Sequence, residues 1–160
     1  MLNDSKAHTN AVVFPPLIPA SGFWLGVLLQ KLVPADAWIS PTLRGCMRTI
    51  GPLLAGLGLV GFAWMVVTMK RAHTPIRNAT PPTLLVEKGP FRFTRNPMYL
   101  FGSIAYVGLA MRFVQPWSLA LLPAVVLATH FGVVLREETV LERRFEGAYR
   151  SYKARVRRWV

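Results

Sequence analysis

The stretch IGPLLAGLGLVGFAWMVVTM, residues 50–69, decides how the rest of this sequence is interpreted, because it contains no charged side chain. A run of about 18 or more apolar residues is long enough to cross a bilayer as a helix. Three further windows, residues 17–33, 97–114 and 116–135, are similarly apolar and hold only Lys31, Arg112 and His130 as basic side chains. We therefore predict an all-α integral membrane protein with about four transmembrane helices.

The composition separates this chain from soluble proteins of similar size. Of its 160 residues, 52% are hydrophobic and 16% are charged, whereas a soluble domain carries about 25% charged residues. A secretory signal peptide would be a single, shorter apolar stretch followed by a cleavage site, and here three more apolar windows follow the first. We expect one membrane domain that covers residues 1–160.

Basic residues are distributed unequally between the two sides of the predicted topology. The net charge of +12 would by itself be compatible with nucleic-acid binding. However, fifteen of the nineteen Lys and Arg residues lie before the first window, between the second and third, or after the fourth. The exceptions are Lys31, Arg44, Arg48 and Arg112. This positive-inside pattern places both termini and the middle loop in the cytosol. We expect the bilayer, and not nucleic acid, to be the partner of these charges.

Neither the glycine pattern of the second window nor the single cysteine is interpreted as a functional site. Gly56-x-Gly58-x-x-Gly61 has the spacing of a dinucleotide-binding loop, but it lies inside an uncharged span and no acidic residue follows before Glu87. Small residues that let helices approach closely explain it better. Cys46 is the only cysteine, so we expect neither an intramolecular disulfide nor a thiolate metal site.

The third predicted helix has a well-defined start at the end of a loop rich in turn-forming residues, 70–96. Asn96 can cap free amides, and Pro97 at the first helical position lacks only a donor that the helix does not use. The helix is therefore expected to begin at Pro97 on the cytosolic side. Its first amides are able to hold an anionic group.

The fourth predicted helix is expected to extend past the membrane as a cytosolic amphipathic helix, since residues 136–160 contain no proline. Apolar side chains recur there every three or four positions, as on one face of a helix. They are Leu141, Phe145, Tyr149, Tyr152, Val156 and Trp159. Basic residues surround this stripe, a pattern typical of helices at a membrane interface. The helix either anchors the chain to lipid headgroups or forms a wall or lid of a site.

Adjacent carboxylates at the end of the fourth window, Glu137 and Glu138, are the strongest indication of chemistry. Carboxylates near hydrocarbon are costly and are usually functional or paired. Either Arg136 forms a structural salt bridge with them, or one of them meets a cationic or hydroxyl-rich ligand. His130, two helical turns earlier, either relays a proton or hydrogen-bonds to a neighbouring helix.

Two sequence motifs beside the third and fourth windows carry a resemblance to a known family. They are Gly89-Pro90-Phe91-Arg92-x-x-Arg95-Asn96-Pro97-x-Tyr99 and Glu137-Glu138-x-x-Leu141-x-x-x-Phe145-x-x-x-Tyr149-x-x-Tyr152. Together they resemble the isoprenylcysteine carboxyl methyltransferases and their relatives, the phospholipid N-methyltransferases, over residues 74–159. The short chain is similar to prokaryotic members, which implies a place in a prokaryotic inner membrane.

The resemblance implies transfer of a methyl group from S-adenosylmethionine to a lipophilic, membrane-embedded carboxylate or amine. It places the cofactor in a cytosol-facing pocket between the loop before the third helix and the start of the extended fourth helix. The implied cofactor-binding residues are Thr83, Leu84, Leu85, Val86, Phe91, Asn96, Pro97, Met98, Tyr99, Glu137 and Glu138. For an amine acceptor, Glu138 or His130 is the candidate base, and for a carboxylate acceptor Arg136 is the candidate cation.

Two other functions fit the same sequence. The membrane sterol reductases are similar in their C-terminal half and use NADPH, although they carry more helices before this region. A non-catalytic membrane adaptor that binds through its basic tail is the other. Within the methyltransferase interpretation, Val133 stands where eukaryotic prenylcysteine enzymes place an arginine, which argues against a prenylcysteine carboxylate as the substrate.

Overall fold

The computed structural model describes residues 16–74 and 84–159, which form helices joined by turns and contain no strand within those two ranges. The helices are α1 (Leu17–Leu32), α2 (Pro41–Arg71), α3 (Pro97–Arg112), α4 (Pro116–Thr129) and α5 (Leu135–Arg155). A π-helical turn, His130–Val134, joins α4 to α5, and short 3₁₀ turns occupy Asp36–Trp38 and Gly89–Arg92. The predicted starts of α1, α3 and α4 are confirmed.

Helix α2 begins nine residues before its predicted start at residue 50. Pro41 occupies the first position, and the Ser40 hydroxyl accepts a hydrogen bond from the Leu43 amide at 3.3 Å, so a side-chain cap sets this end. The 31 residues of α2 extend about 46 Å at 1.5 Å per residue. That length exceeds a hydrocarbon core of about 30 Å, and the helix therefore carries Arg44 and Arg48 beyond its apolar stretch.

Two helical segments, Pro41–Arg71 and the continuous Pro116–Arg155, are long and apolar enough to cross a membrane. Only 28% of the residues in the apolar window of each are buried, whereas a core helix of a soluble protein is mostly buried. Large apolar side chains such as Leu53 (71% exposed) and Val60 (69% exposed) point outward, and an apolar surface of this kind suits lipid contact. Leu17–Leu32 is apolar but shorter, so the count of four spans stays a prediction.

Helices α2 and α3 pack closely along a row of small residues. A Cβ atom added to Gly58 would lie 2.5 Å from the Ala105 amide nitrogen, and one added to Gly51 would lie 2.5 Å from the Arg112 amide nitrogen. Gly56, by contrast, faces open space. Such close backbone approach is what small residues permit in membrane helices, which supports the packing interpretation of the glycine motif.

Helices α1 and α4 are joined by polar contacts within their apolar surroundings. The Ser118 hydroxyl donates to the Phe23 carbonyl at 3.1 Å, and the Tyr106 hydroxyl donates to the Ser118 carbonyl at 2.9 Å. Backbone and hydroxyl groups away from water are costly unless they are paired. These bonds therefore fix α4 between α1 and α3.

The amphipathic extension is shorter than its sequence pattern predicts. Helix α5 kinks at Glu146, whose φ of 39° is left-handed, and it ends at Arg155. Tyr149 and Tyr152 of the apolar stripe are buried. Residues 156–159, which we call the C-terminal segment, follow in non-helical conformation. The kink divides the predicted stripe, with Phe145 before it and the buried Tyr149 and Tyr152 after it. Trp159 lies in the C-terminal segment and not on a helix face.

Candidate active site

A hydrogen bond joins the start of α3 to the start of α5. The Tyr99 hydroxyl donates to Glu137 Oε1 at 3.0 Å across 38 residues of sequence. Tyr99 is 8% exposed and Glu137 is half-buried. The two motifs quoted from the sequence are therefore in contact in the folded chain.

Glu138 lies beside Glu137 but has different partners. Arg158 Nε donates to Glu138 Oε1 at 3.0 Å and Arg158 Nη2 donates to Oε2 at 2.9 Å, while Arg95 Nη1 lies 3.3 Å from Oε1. Glu138 is 6% exposed, so two guanidinium groups cover both of its oxygens. Arg136 is exposed and takes no part in this cluster. Of the two alternatives for the twin carboxylates, the salt bridge with Arg136 is therefore wrong in its partner, since the arginines paired with Glu138 are Arg95 and Arg158.

The loop before α3 is bonded to the C-terminal segment. The Thr94 hydroxyl and Asn96 Nδ2 both donate to the Arg158 carbonyl, at 3.0 and 3.1 Å, and the Arg95 amide donates to the Arg157 carbonyl at 3.0 Å. Asn96 is the residue before the first turn of α3, as predicted, but its side chain does not cap the helix. Its amide is used instead to hold the returning chain.

Burial raises the pKa of the Glu137 carboxyl. The side chain lies in α5, just beyond the apolar span, where desolvation raises its pKa from 4.5 to about 7, and the Tyr99 hydrogen bond offsets part of this effect. A carboxyl group with a pKa near neutral exchanges protons readily at physiological pH. The oxygens of Glu138 are instead paired with Arg158 and Arg95. Among the twin carboxylates, Glu137 is thus the one suited to proton transfer or to a polar ligand.

The rings of His130 and Trp159 lie close to the buried cluster that contains Tyr99. The His130 ring centroid is 6.0 Å from that of Trp159, and Trp159 packs against a buried cluster of Tyr99, Val133 and Val134. Within the ranges that the structure describes, His130 Nδ1 is buried and has no hydrogen-bond partner. His130 also begins the π-helical turn, a feature that occurs frequently at functional sites.

The remaining predicted cofactor residues lie in the segment before α3 and in its first turn. Leu84 is 58% exposed, and Leu85, Val86 and Phe91 are half-buried. The Phe91 carbonyl accepts a 2.7 Å hydrogen bond from the Tyr152 hydroxyl. This bond holds the 3₁₀ turn against α5.

Two further predicted cofactor residues lie in the first turn of α3. Pro97 is fully buried, and Met98 packs against the cluster that contains Tyr99. Thr83 lies outside the described residues. The segment 84–87 is bonded to the end of α5 by an ion pair from Arg155 to Glu87 at 2.8 Å.

Three residues that the structure brings to this site, Arg95, Arg158 and Trp159, are not among the sequence-predicted site residues. Arg95 lies inside the quoted motif, which was a usable signal. Arg158 is one of eight basic residues after the fourth window, and the apolar spacing predicts Trp159 on a helix face. Neither of these two had a local signal that separated it from its neighbours.

The arrangement can be compared with known proteins. A family model described as phospholipid methyltransferase matches residues 47–148, more than half of the chain. That family includes the isoprenylcysteine carboxyl methyltransferases. Searches of curated proteins and of solved structures give no match. The matched residues run from α2 through the contact between Tyr99 and Glu137, and the chain therefore belongs to the phospholipid methyltransferase family.

Proposed function

We propose that this protein transfers the methyl group of S-adenosylmethionine to a lipophilic acceptor held in the membrane. The observation that carries the proposal is the 3.0 Å hydrogen bond between Tyr99 and Glu137, because it joins the start of α3 and the end of the fourth span in one polar site beside the lipid-facing surface. We further propose four spans, with both termini and this site on the cytosolic side, since the positive-inside distribution favours that orientation.

The residues present fit the proposed cofactor. Glu137 offers a carboxylate that can accept hydrogen bonds from ribose hydroxyls or from an ammonium group, and Tyr99 offers an aromatic ring beside it. The first amides of α3 are not capped by Asn96, so they are able to meet a carboxylate. The cofactor, which members of the family generally use, supplies an electrophilic methyl group, and the protein therefore needs no nucleophile of its own.

The acceptor is proposed to reach the site from the lipid side, where His130 closes the apolar span. Phe131 and Leu127 near this end are 63% and 55% exposed, which makes a surface that a lipid chain can contact. If the acceptor is an amine, a proton must leave, and Glu137 and His130 are the proposed bases for it. We favour Glu137 over Glu138 for this step, because both oxygens of Glu138 already accept hydrogen bonds from Arg158.

The two alternative functions predict different ligands. A reductase related to sterol reductases would bind NADPH, and an adaptor would bind neither nucleotide. The family match does not support either alternative. The methyltransferase proposal predicts saturable binding of S-adenosylmethionine to the purified protein and no binding of NADPH, both measured by calorimetry in detergent or nanodiscs.

The decisive variant is Glu137→Gln, which keeps the size of the side chain and removes its charge. Its affinity for S-adenosylmethionine is expected to fall about tenfold, since a hydrogen bond to a charged group contributes about 1.5–3 kcal/mol. Glu142→Gln is the matched control on the same helix, because Glu142 pairs with the exposed side chains of Lys153 and Arg150. Equal affinity of the Glu137→Gln variant and the wild type would remove Glu137 from the site, and binding of NADPH alone would replace the proposal by the reductase.

The class of acceptor requires a separate measurement. Membranes that contain the protein are incubated with S-adenosylmethionine carrying a labelled methyl group, and the lipids are extracted and fractionated. We expect the label in a lipophilic fraction, with resistance to mild base for an N-methyl product and sensitivity for a methyl ester. Label confined to protein or to water-soluble products would contradict a lipophilic acceptor.

A further inference from the structure

We propose that Arg158 and Glu138 are positioning residues, whose ion pair holds the C-terminal segment across the start of α3 so that Trp159 forms one wall of the methyl-transfer site. This inference rests on the proposed function, and it gives Glu138 a role different from direct cofactor contact. The segment is outside the range that the family model matches, 47–148, so family membership alone does not suggest it.

The first support is the number of contacts that converge on one residue. The Arg158 guanidinium makes two hydrogen bonds to Glu138, and the Arg158 carbonyl accepts from both Thr94 and Asn96. Side chain and backbone of the same residue therefore tie α5 to the loop before α3. Arginine suits this role because its planar group binds both oxygens of a carboxylate at once.

The second support is the location of the pair. Glu138 is 6% exposed and the side chain of Arg95, which also approaches it, is 8% exposed. A carboxylate so far from water is costly unless cations surround it. Arg95 and Arg158 come from distant parts of the chain and both pair with Glu138. The C-terminal segment is therefore held in place only when the fold brings these three residues together.

The third support is the position of Trp159 in the C-terminal segment. Trp159 directly follows Arg158, packs against the cluster that contains Tyr99, and lies 6.0 Å from the His130 ring. Tyr99 is the residue that donates to Glu137. Trp159 therefore packs against the cluster that includes the hydrogen-bond donor to Glu137, and its ring also lies near His130, whose Nδ1 has no partner among the described residues. A large ring in this position is suited to keeping water away from a methyl-transfer site.

Binding experiments on the full-length protein test this inference. Arg158→Gln is expected to weaken S-adenosylmethionine binding about tenfold, because truncating one member of a buried charge pair commonly costs at least that factor. Arg158→Lys, which keeps the charge but cannot bind both oxygens in the same way, is expected to restore part of the affinity. Arg150→Gln, which breaks an exposed pair with Glu142, is the control and should bind like the wild type.

A spectroscopic measurement separates positioning from simple stabilisation. We expect addition of S-adenosylmethionine to change the tryptophan emission of the wild type, and we expect this change to be absent in Trp159→Phe and in Arg158→Gln. Trp159→Ala, which leaves the Arg158 pair intact, should also weaken binding about tenfold while the protein stays folded, so a failure of Arg158→Gln to fold does not leave the inference without a test.

The outcomes distinguish this inference from the proposed function. Wild-type protein that binds no S-adenosylmethionine would overturn both. If the wild type binds S-adenosylmethionine and the Arg158→Gln and Trp159→Ala variants bind it equally well, the positioning role alone is overturned. This holds even if the melting temperature of Arg158→Gln falls.

Discussion

Replacing Glu137 by glutamine is expected to change how the stability of this protein depends on pH. Burial raises the pKa of the Glu137 carboxyl from 4.5 to about 7. Below pH 4.5 the folded and unfolded states both hold this proton, so the carboxyl has no effect. Between pH 4.5 and 7 only the folded state holds it, and unfolding releases a proton. The wild type therefore loses stability as the pH rises through this window.

The size of the effect follows from the pKa shift. About 2.5 pH units at 1.36 kcal/mol per unit correspond to about 3.4 kcal/mol. Because the side chain keeps some contact with solvent, we expect about 2 to 3 kcal/mol in practice. Glutamine can still accept the bond from Tyr99 but has no proton to lose. Glu137→Gln should therefore match the wild type near pH 4 and exceed its stability by this amount at pH 8.

The assay is unfolding of the purified variants in one detergent at a series of pH values. Subtracting the wild-type curve from that of Glu137→Gln removes the contributions of all other titrating groups. Glu142→Gln, whose exposed ion pairs contribute at most about 1 kcal/mol, should give a nearly flat difference. A Glu137→Gln difference that is equally flat between pH 4 and 8 would refute the argument that burial controls this carboxyl.

The same proton links pH to cofactor binding. The charged form of Glu137 is the stronger hydrogen-bond acceptor, so the affinity of the wild type for S-adenosylmethionine should rise as the pH increases through about 7 and then level off. In Glu137→Gln the affinity should be low and independent of pH over this range. An affinity of the wild type that falls between pH 6 and 8 would contradict this assignment.

Two further substitutions test the packing around the site. Gly58→Val is expected to destabilise the protein by about 1–3 kcal/mol or more, because its Cβ would lie 2.5 Å from the Ala105 amide nitrogen. Gly56→Val is the control, since Gly56 faces open space. Equal melting temperatures of the two variants would argue against close packing of α2 on α3. Tyr152→Phe removes the 2.7 Å bond to the Phe91 carbonyl and is expected to cost about 1 kcal/mol in denaturant unfolding, and an unchanged midpoint would show that this bond does not hold the 3₁₀ turn.

Much of the helical architecture is predictable from the sequence because it depends on interactions between residues close in the chain. The apolar windows predict where the helices run, and the proline at residue 97 predicts the start of α3, since both effects act within one or two turns. The family motifs were recognisable for the same reason. The start of α2 at Pro41 lies outside the apolar window that predicts this helix, and the capping residue Ser40 is the local signal that marks it.

The partners of the twin carboxylates were decided by tertiary structure alone. Glu138 had many basic residues available as partners, and nearness in sequence favoured Arg136. The fold instead brought Arg95 and Arg158 to it and returned the C-terminal segment to the start of α3. A buried ion pair forms between the groups that the packed helices place together, away from water, and no pattern within a single segment of the sequence contains that information.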